Sequence, residues 1–145
     1  MSPATRQTPY EILLAEDNPA DVTLVREALK NQGLSCTLHI VRDGAQAIAF
    51  VQDRDKVKGS PQLDLVLLDM HLPKYDGQEI MTRLRATEHC AQTPIIVMTS
   101  SVSPADYEAA EKHAAMHYFQ KPSSLTQFMR LGRIVQDVLD KEISK

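Results

Sequence analysis

Apolar residues fall in short unbroken runs along this chain, and each run is followed by a stretch with helical spacing. Glu11 to Ala15 reads EILLA, a short apolar strand. Asn18-Pro19-Ala20-Asp21 then opens a helix. Asn18 suits the cap, Pro19 the first helical position, and Asp21 places negative charge in the first turn. Val22, Val25 and Leu29 share one helical face, and Gly33 is a natural stop. Cys36 to Val41 has the mixed polarity of an edge strand. Asp43-Gly44-Ala45-Gln46 has the spacing of a capping box and predicts a helix to about Asp53. Arg54 to Gln62, with Gly59 and Pro61, reads as a loop.

The next two strands differ in kind. Leu65 to Leu68 and Pro94 to Met98 are apolar without alternation, as strands buried on both faces are. Between them Asp76 can cap a helix carrying Ile80, Met81 and Leu84, with Glu79 at the reciprocal position. Ser103-Pro104-Ala105-Asp106 opens another helix, whose apolar residues are mostly alanine; that predicts loose packing and mobility. His117 to Gln120 is a short fifth strand. Ser123 or Ser124 then caps a long last helix bearing Leu125, Phe128, Leu131, Val135, Val138 and Leu139. Strand and helix alternate five times, which calls for a parallel sheet with helices on both faces. Its crossovers are right-handed, so the C-terminal ends of the strands share one edge. Ligands bind at that edge, where strand order reverses.

Bulk properties narrow the function. The 145 residues fit one domain, expected over 10–145 behind a flexible tail at 1–9, with nothing left after the last helix for a second, output domain. A formal net charge of −3 argues against a nucleic-acid partner. No apolar run approaches the roughly 20 residues of a membrane span, so no membrane partner is expected. The polar start MSPATRQTPY lacks the apolar core of a signal peptide, which predicts a cytoplasmic protein. Cys36 and Cys90 show no CxxC pattern and read as small hydrophobes or surface thiols. The five histidines show no ligand spacing and read as structural or surface groups.

The segment VLLDMHLPKYDG, Val66 to Gly77, ends a buried strand on a carboxylate, Asp69. Glu16 and Asp17 end the first strand, Thr99 the fourth, and Lys121 the fifth, just before Pro122. Three acids, a hydroxyl and an ammonium thus meet on one rim. Each has an ordinary alternative: solvated strand end, helix cap, surface lysine, or a threonine bonded to backbone. Three close carboxylates raise one another's pKa, and a divalent cation removes the conflict. All-oxygen ligation with an incomplete protein shell suits Mg²⁺. An ionised Asp69 can then act as a nucleophile toward a phosphoryl group, with Mg²⁺ and Lys121 neutralising the transferring oxygens.

With Glu16-Asp17, VLLDMHLPKYDG, PIIVMTS and YFQKP in order, the chain resembles a receiver domain of a two-component response regulator over about Glu11 to Lys141. The resemblance implies a flavodoxin-like, doubly wound (βα)5 sheet in strand order 2-1-3-4-5. It implies Asp69 as phosphoacceptor, with Asp17 and Asp69 on Mg²⁺ directly and Glu16 through water. The backbone carbonyl of His71 would complete the protein's ligands, and His71 would matter only through that carbonyl. Lys121 and Thr99 would contact the phosphoryl group. Thr99 and Tyr118 would form the switch, although an aromatic in a short strand equally suits packing. Pro73, Asp76 and Gly77 would shape the loop after the acceptor. The acid pair is Glu-Asp where Asp-Asp is also common. The implied partners are a sensor histidine kinase and a downstream protein or phosphotransfer protein. A homodimer through the face of helix four, strand five and the last helix is also common in the family, and Met129 and Ile134 could feed it. The loops KVKGSPQ and ATEHCAQ look like those of stand-alone receivers paired with bacterial phytochromes.

Two rivals differ in class. An aspartyl-nucleophile phosphatase of the haloacid-dehalogenase type usually carries a second Asp two residues after the nucleophile; here that position is His71. The protein is therefore expected to accept one phosphoryl group per chain and not to be a turnover enzyme. A phosphate-independent, receiver-like interaction module is the alternative, but such proteins usually lose the acceptor, an acid or the lysine, and this chain keeps them all.

Overall fold

A computed structural model describes residues 8–100 and 103–143. Of the flexible tail expected at 1–9, residues 1–7 lie outside the described residues. Five strands, β1 (Tyr10–Ala15), β2 (Cys36–Val41), β3 (Leu65–Asp69), β4 (Ile95–Thr99) and β5 (His117–Gln120), alternate with helices. The helices are α1 (Pro19–Asn31), α2 (Gly44–Lys56), α3 (Gly77–Arg85), α4 (Pro104–Lys112), α5 (Leu125–Phe128) and α6 (Arg130–Ile143). All strand pairs are parallel, in the order β2-β1-β3-β4-β5. This is the flavodoxin-like order expected, with the reversal between β1 and β3.

The caps fall where the sequence places them. The Asn18 side chain accepts from the amides of Ala20 and Asp21, and Asp76 from that of Glu79. Ser103 and Ser124 cap α4 and α5. Asp43 accepts from Gln46 N at 2.7 Å, while Gln46 Oε1 reaches back to Arg42 N at 2.8 Å, one residue before the expected capping-box donor. The Glu79 carboxylate lies against Arg83 instead, at 3.1 Å. No helix among the described residues is long and apolar enough to cross a membrane.

Two expectations need correction. α2 runs three residues past Asp53, to Lys56. Arg54 is held there by the Pro61 carbonyl at 2.7 Å and lies 4.6 Å over the Phe50 ring, tertiary anchors that a local reading lacks. The long last helix is instead a four-residue α5 and a separate α6. The turn between them tightens, with Gly132 N bonded to Met129 O at 3.2 Å. Gly132 also lies against α1: an added Cβ would sit 2.3 Å from the Ala28 carbonyl oxygen.

Side chains alternate across each strand, so the sheet has two cores. Leu13, Val66, Leu68 and Val97 meet α2 and α3 on one side. Ile12, Leu14, Leu67 and Met98 meet α1, α5 and α6 on the other. Register aligns the strand tips: Ala15 pairs with Leu68, Asp69 with Met98, and Thr99 with Gln120. One step beyond Ala15 lies Glu16, beside Asp69 on the common rim.

Candidate functional site

Asp69 is the last residue of β3 and is 6% exposed. Its Oδ1 accepts from the backbone N–H of His71 at 2.9 Å, and its Oδ2 accepts from Lys121 Nζ at 3.1 Å. Glu16 is fully buried, with Oε2 accepting from Asn18 N at 3.1 Å and Oε1 from Lys121 Nζ at 2.6 Å. Asp17 is exposed. Glu16, Asp17 and Asp69 each offer an oxygen, and these oxygens all lie within 4.8 Å of one another. An all-carboxylate donor set this tight, open to water at Asp17, fits a hard divalent cation that keeps part of its hydration.

The electrostatics match that fit. Burial pushes the Glu16 carboxyl up to about 7; the Lys121 hydrogen bond opposes this, and the Asp69 carboxylate adds to it. Burial pulls the Lys121 ammonium down, but hydrogen bonds to Asp21 and Glu16 and the charge of Asp69 outweigh it, so its net shift is upward. Lys121 is thus held charged beside Asp69.

Thr99 is fully buried at the tip of β4, and its carbonyl accepts from Lys121 N at 2.7 Å, which locks the two strand ends together. Tyr118 is half-buried, its ring 5.5 Å from that of Tyr107. Burial, then the Asp106 charge, pushes its phenol pKa up.

The loop after Asp69 is clamped at both ends. Gly77 N donates to Met70 O at 3.1 Å, and a Cβ on Gly77 would lie 2.3 Å from the Met70 sulfur. Gly44 N donates to Pro73 O at 3.1 Å, and Lys74, at φ 77°, pairs with Asp43 at 3.5 Å. Lys74 sits in the left-handed region that non-glycine residues seldom adopt, and these neighbours hold it there.

The sequence placed Glu16, Asp17, Asp69, Thr99 and Lys121 on one rim, and the fold brings the three acids and the lysine into one cluster with Thr99 bonded to the lysine's backbone. Two contributions were missed. Asp21, read as a helix-dipole charge, accepts from Lys121 Nζ at 2.8 Å. A signal existed: a first-turn side chain tilts toward its helix N-terminus, here toward the rim. His71, expected to act only through its carbonyl, also supplies its N–H to Asp69. Its ring Nε2 lies 2.9 Å from Asp106 Oδ2 on α4, close enough for an ion pair but without hydrogen-bond geometry. Nothing in DMH announced that contact, since Asp106 lies on another helix.

Comparison with known proteins identifies the family that carries this doubly wound sheet with three acids and a lysine at its rim. The chain belongs to the response regulator receiver domain family, whose model matches residues 12–131. It is 35% identical to response regulator Rcp1 of Synechocystis sp. over 123 residues, 85% of this chain and 84% of that one. The structure of the Mn²⁺-bound form of Rcp1 superposes with a TM-score of 0.77 at 33% identity, covering 89% of this chain and 93% of that one. The phosphorylated cyanobacterial phytochrome response regulator RcpA gives a TM-score of 0.79 at 28% identity, covering 90% and 93%. The receiver domain of sensor histidine kinase PA1611 from Pseudomonas aeruginosa, with magnesium coordinated in its active-site cleft, gives 0.71 at 28% identity, covering 95% and 100%.

Proposed function

We propose that this chain accepts a phosphoryl group on Asp69 from a sensor histidine kinase, in a reaction that requires Mg²⁺. The observation that carries this reading is the shared environment of Asp69: a nearly buried carboxylate within 4.8 Å of two further acids and bonded to a charged lysine. An Asp69 oxygen attacks phosphorus; the donor's P–N bond breaks as the P–O bond of the acyl phosphate forms, and the imidazole leaves with a proton. Asp17 and Asp69 would hold the cation directly, Glu16 through water, with the His71 carbonyl completing the set. Bound there, Mg²⁺ supplies positive charge to the transferring oxygens. Lys121 neutralises a further oxygen, and the Thr99 hydroxyl donates to the phosphoryl group once it is attached. The Tyr118 ring, against α4, reports the change.

The signal would pass by docking a downstream protein or by onward phosphotransfer, at the face formed by α4, β5 and α6; a homodimer would use the same face. The likeness to RcpA, a phytochrome response regulator, supports a bacterial phytochrome as the kinase.

The test is intact-protein mass after incubation with acetyl phosphate, with and without Mg²⁺, on wild type and Asp69→Asn. The expected result is one added phosphoryl group, dependent on Mg²⁺ and lost in the variant. Phosphorylation of Asp69→Asn at the wild-type rate overturns the acceptor assignment. No adduct on wild type and no beryllofluoride binding would favour a phosphate-independent docking module.

A further inference from the structure

Lys121 has no spare donor. An ammonium carries three N–H groups and no acceptor. Here one goes to Glu16 at 2.6 Å, one to Asp21 at 2.8 Å and one to Asp69 at 3.1 Å. The Lys121 side chain is only 8% exposed, so water does not compete freely for these bonds. Of the three acceptors, only Asp69 changes covalently in the proposed transfer. Glu16 and Asp21 remain as they are, and both are fixed in place. Glu16 is pinned by Asn18 N, and Asp21 stands on the first turn of α1, whose cap is the same Asn18.

We infer that Asp21 is a positioning residue for phosphoryl transfer: together with Glu16 it takes two N–H groups of Lys121 and so aims the third at the acceptor. The inference rests on the phosphoacceptor reading above. When the acyl phosphate forms, the third N–H passes from the Asp69 oxygen to a phosphoryl oxygen, and the two anchors need not move. A flexible four-carbon stem thereby presents a fixed donor, and orientation of that kind is worth much in rate. Asp21 lies outside the acid trio that fits the metal, so its role is separable from metal binding. A purely electrostatic role predicts the reverse. An extra carboxylate beside an incoming phosphoryl group repels it, and removing that charge should then speed transfer.

Asp21→Ala and Asp21→Asn separate these roles, since asparagine keeps an acceptor oxygen without the charge. The readouts are the initial rate of phosphorylation by acetyl phosphate at saturating Mg²⁺, the Mg²⁺ affinity by titration, and the ¹⁵N signal of the Lys121 ammonium. The alanine variant should lose about tenfold in rate, the effect of one charge-assisted hydrogen bond. The asparagine variant should recover most of that rate, and Mg²⁺ affinity should change by no more than about threefold in either. The Lys121 signal should be sharp in wild type and Asp21→Asn, and broadened by water exchange in Asp21→Ala. Equal slowing of both variants, faster transfer in either, or an unchanged Lys121 signal in Asp21→Ala overturns the assignment. If wild type itself takes no phosphoryl group, the acceptor reading fails, and the Lys121 signal still decides whether Asp21 holds the ammonium.

Discussion

The two faces of the sheet are covered by different means. On the α1 side, Phe128, Leu131, Val135 and Leu139 are buried against Val25, Ala28 and Leu29, and Gly132 brings α6 onto the α1 backbone. On the other side α2 and α3 pack through Val51, Ile80, Met81 and Leu84, but α4 buries only Ala109 and Ala110. The ends of α4 are tied by polar contacts instead. His71 meets Asp106 at its start, and at its end Thr82 Oγ1 lies 3.3 Å from His113 Nε2 while Arg85 Nε donates to His113 O at 3.0 Å. Burial of a large apolar side chain is worth about 1.5–3 kcal/mol, whereas an exposed pair such as His71–Asp106 contributes at most about 1 kcal/mol. One face is therefore a fixed platform. The other carries a helix that buries only two alanines, with its start against His71 in the loop after Asp69.

The largest expected break in this contrast is Phe128→Ala. It removes a nearly fully buried ring from the platform and should cost about 3–5 kcal/mol in chemical denaturation. A loss under about 1 kcal/mol would mean that this face is not the platform.

The two thiols probe the faces by rate. Cys90 is buried in the core under α3, and burial pushes its thiol up to about 11; Cys36, on the opposite face, is half-buried, with its pKa raised by burial and lowered by Arg26. Since the thiolate is the reactive form, maleimide at pH 8 should modify Cys36 more than about tenfold faster than Cys90. Equal rates, followed by mass spectrometry, would show that the core around Cys90 opens as readily as the surface around Cys36.

The smallest effect on stability is expected at His71→Ala. Its ring is 54% exposed, so global stability should fall by less than about 1 kcal/mol. Amide exchange in 104–112 should nonetheless quicken, while that in 130–141 stays as in wild type. A protected, unchanged α4 in that variant would remove His71 as a contact that holds the start of the helix.

Much of the molecule was legible in the residues. Runs such as LVLL and IIV mark strands buried on both faces because no polar residue interrupts them. Asn18, Asp43, Asp76, Ser103 and Ser124 mark helix starts because a short side-chain oxygen there satisfies otherwise orphaned amides. Strand ends carrying Glu16, Asp69, Thr99 and Lys121 mark the site because parallel topology sends every such end to one rim. Those inferences need only local chemistry and the handedness of the crossover.

What remained depended on distances that no period encodes. The Asp21–Lys121 bond joins residues 100 positions apart, and His71 meets Asp106 across from the loop after Asp69 to a helix three elements later. The extension of α2 to Lys56 hangs on Arg54 finding the Pro61 carbonyl and the Phe50 ring. The break before α6 coincides with Gly132 meeting the Ala28 carbonyl. Sequence alone determined which groups reach the rim and which faces turn inward, because both follow from backbone periodicity. Tertiary structure decided which acids hold the lysine and which contacts hold α4. Those choices are set by where each helix axis settles on the twisted sheet, a result of packing the whole core at once.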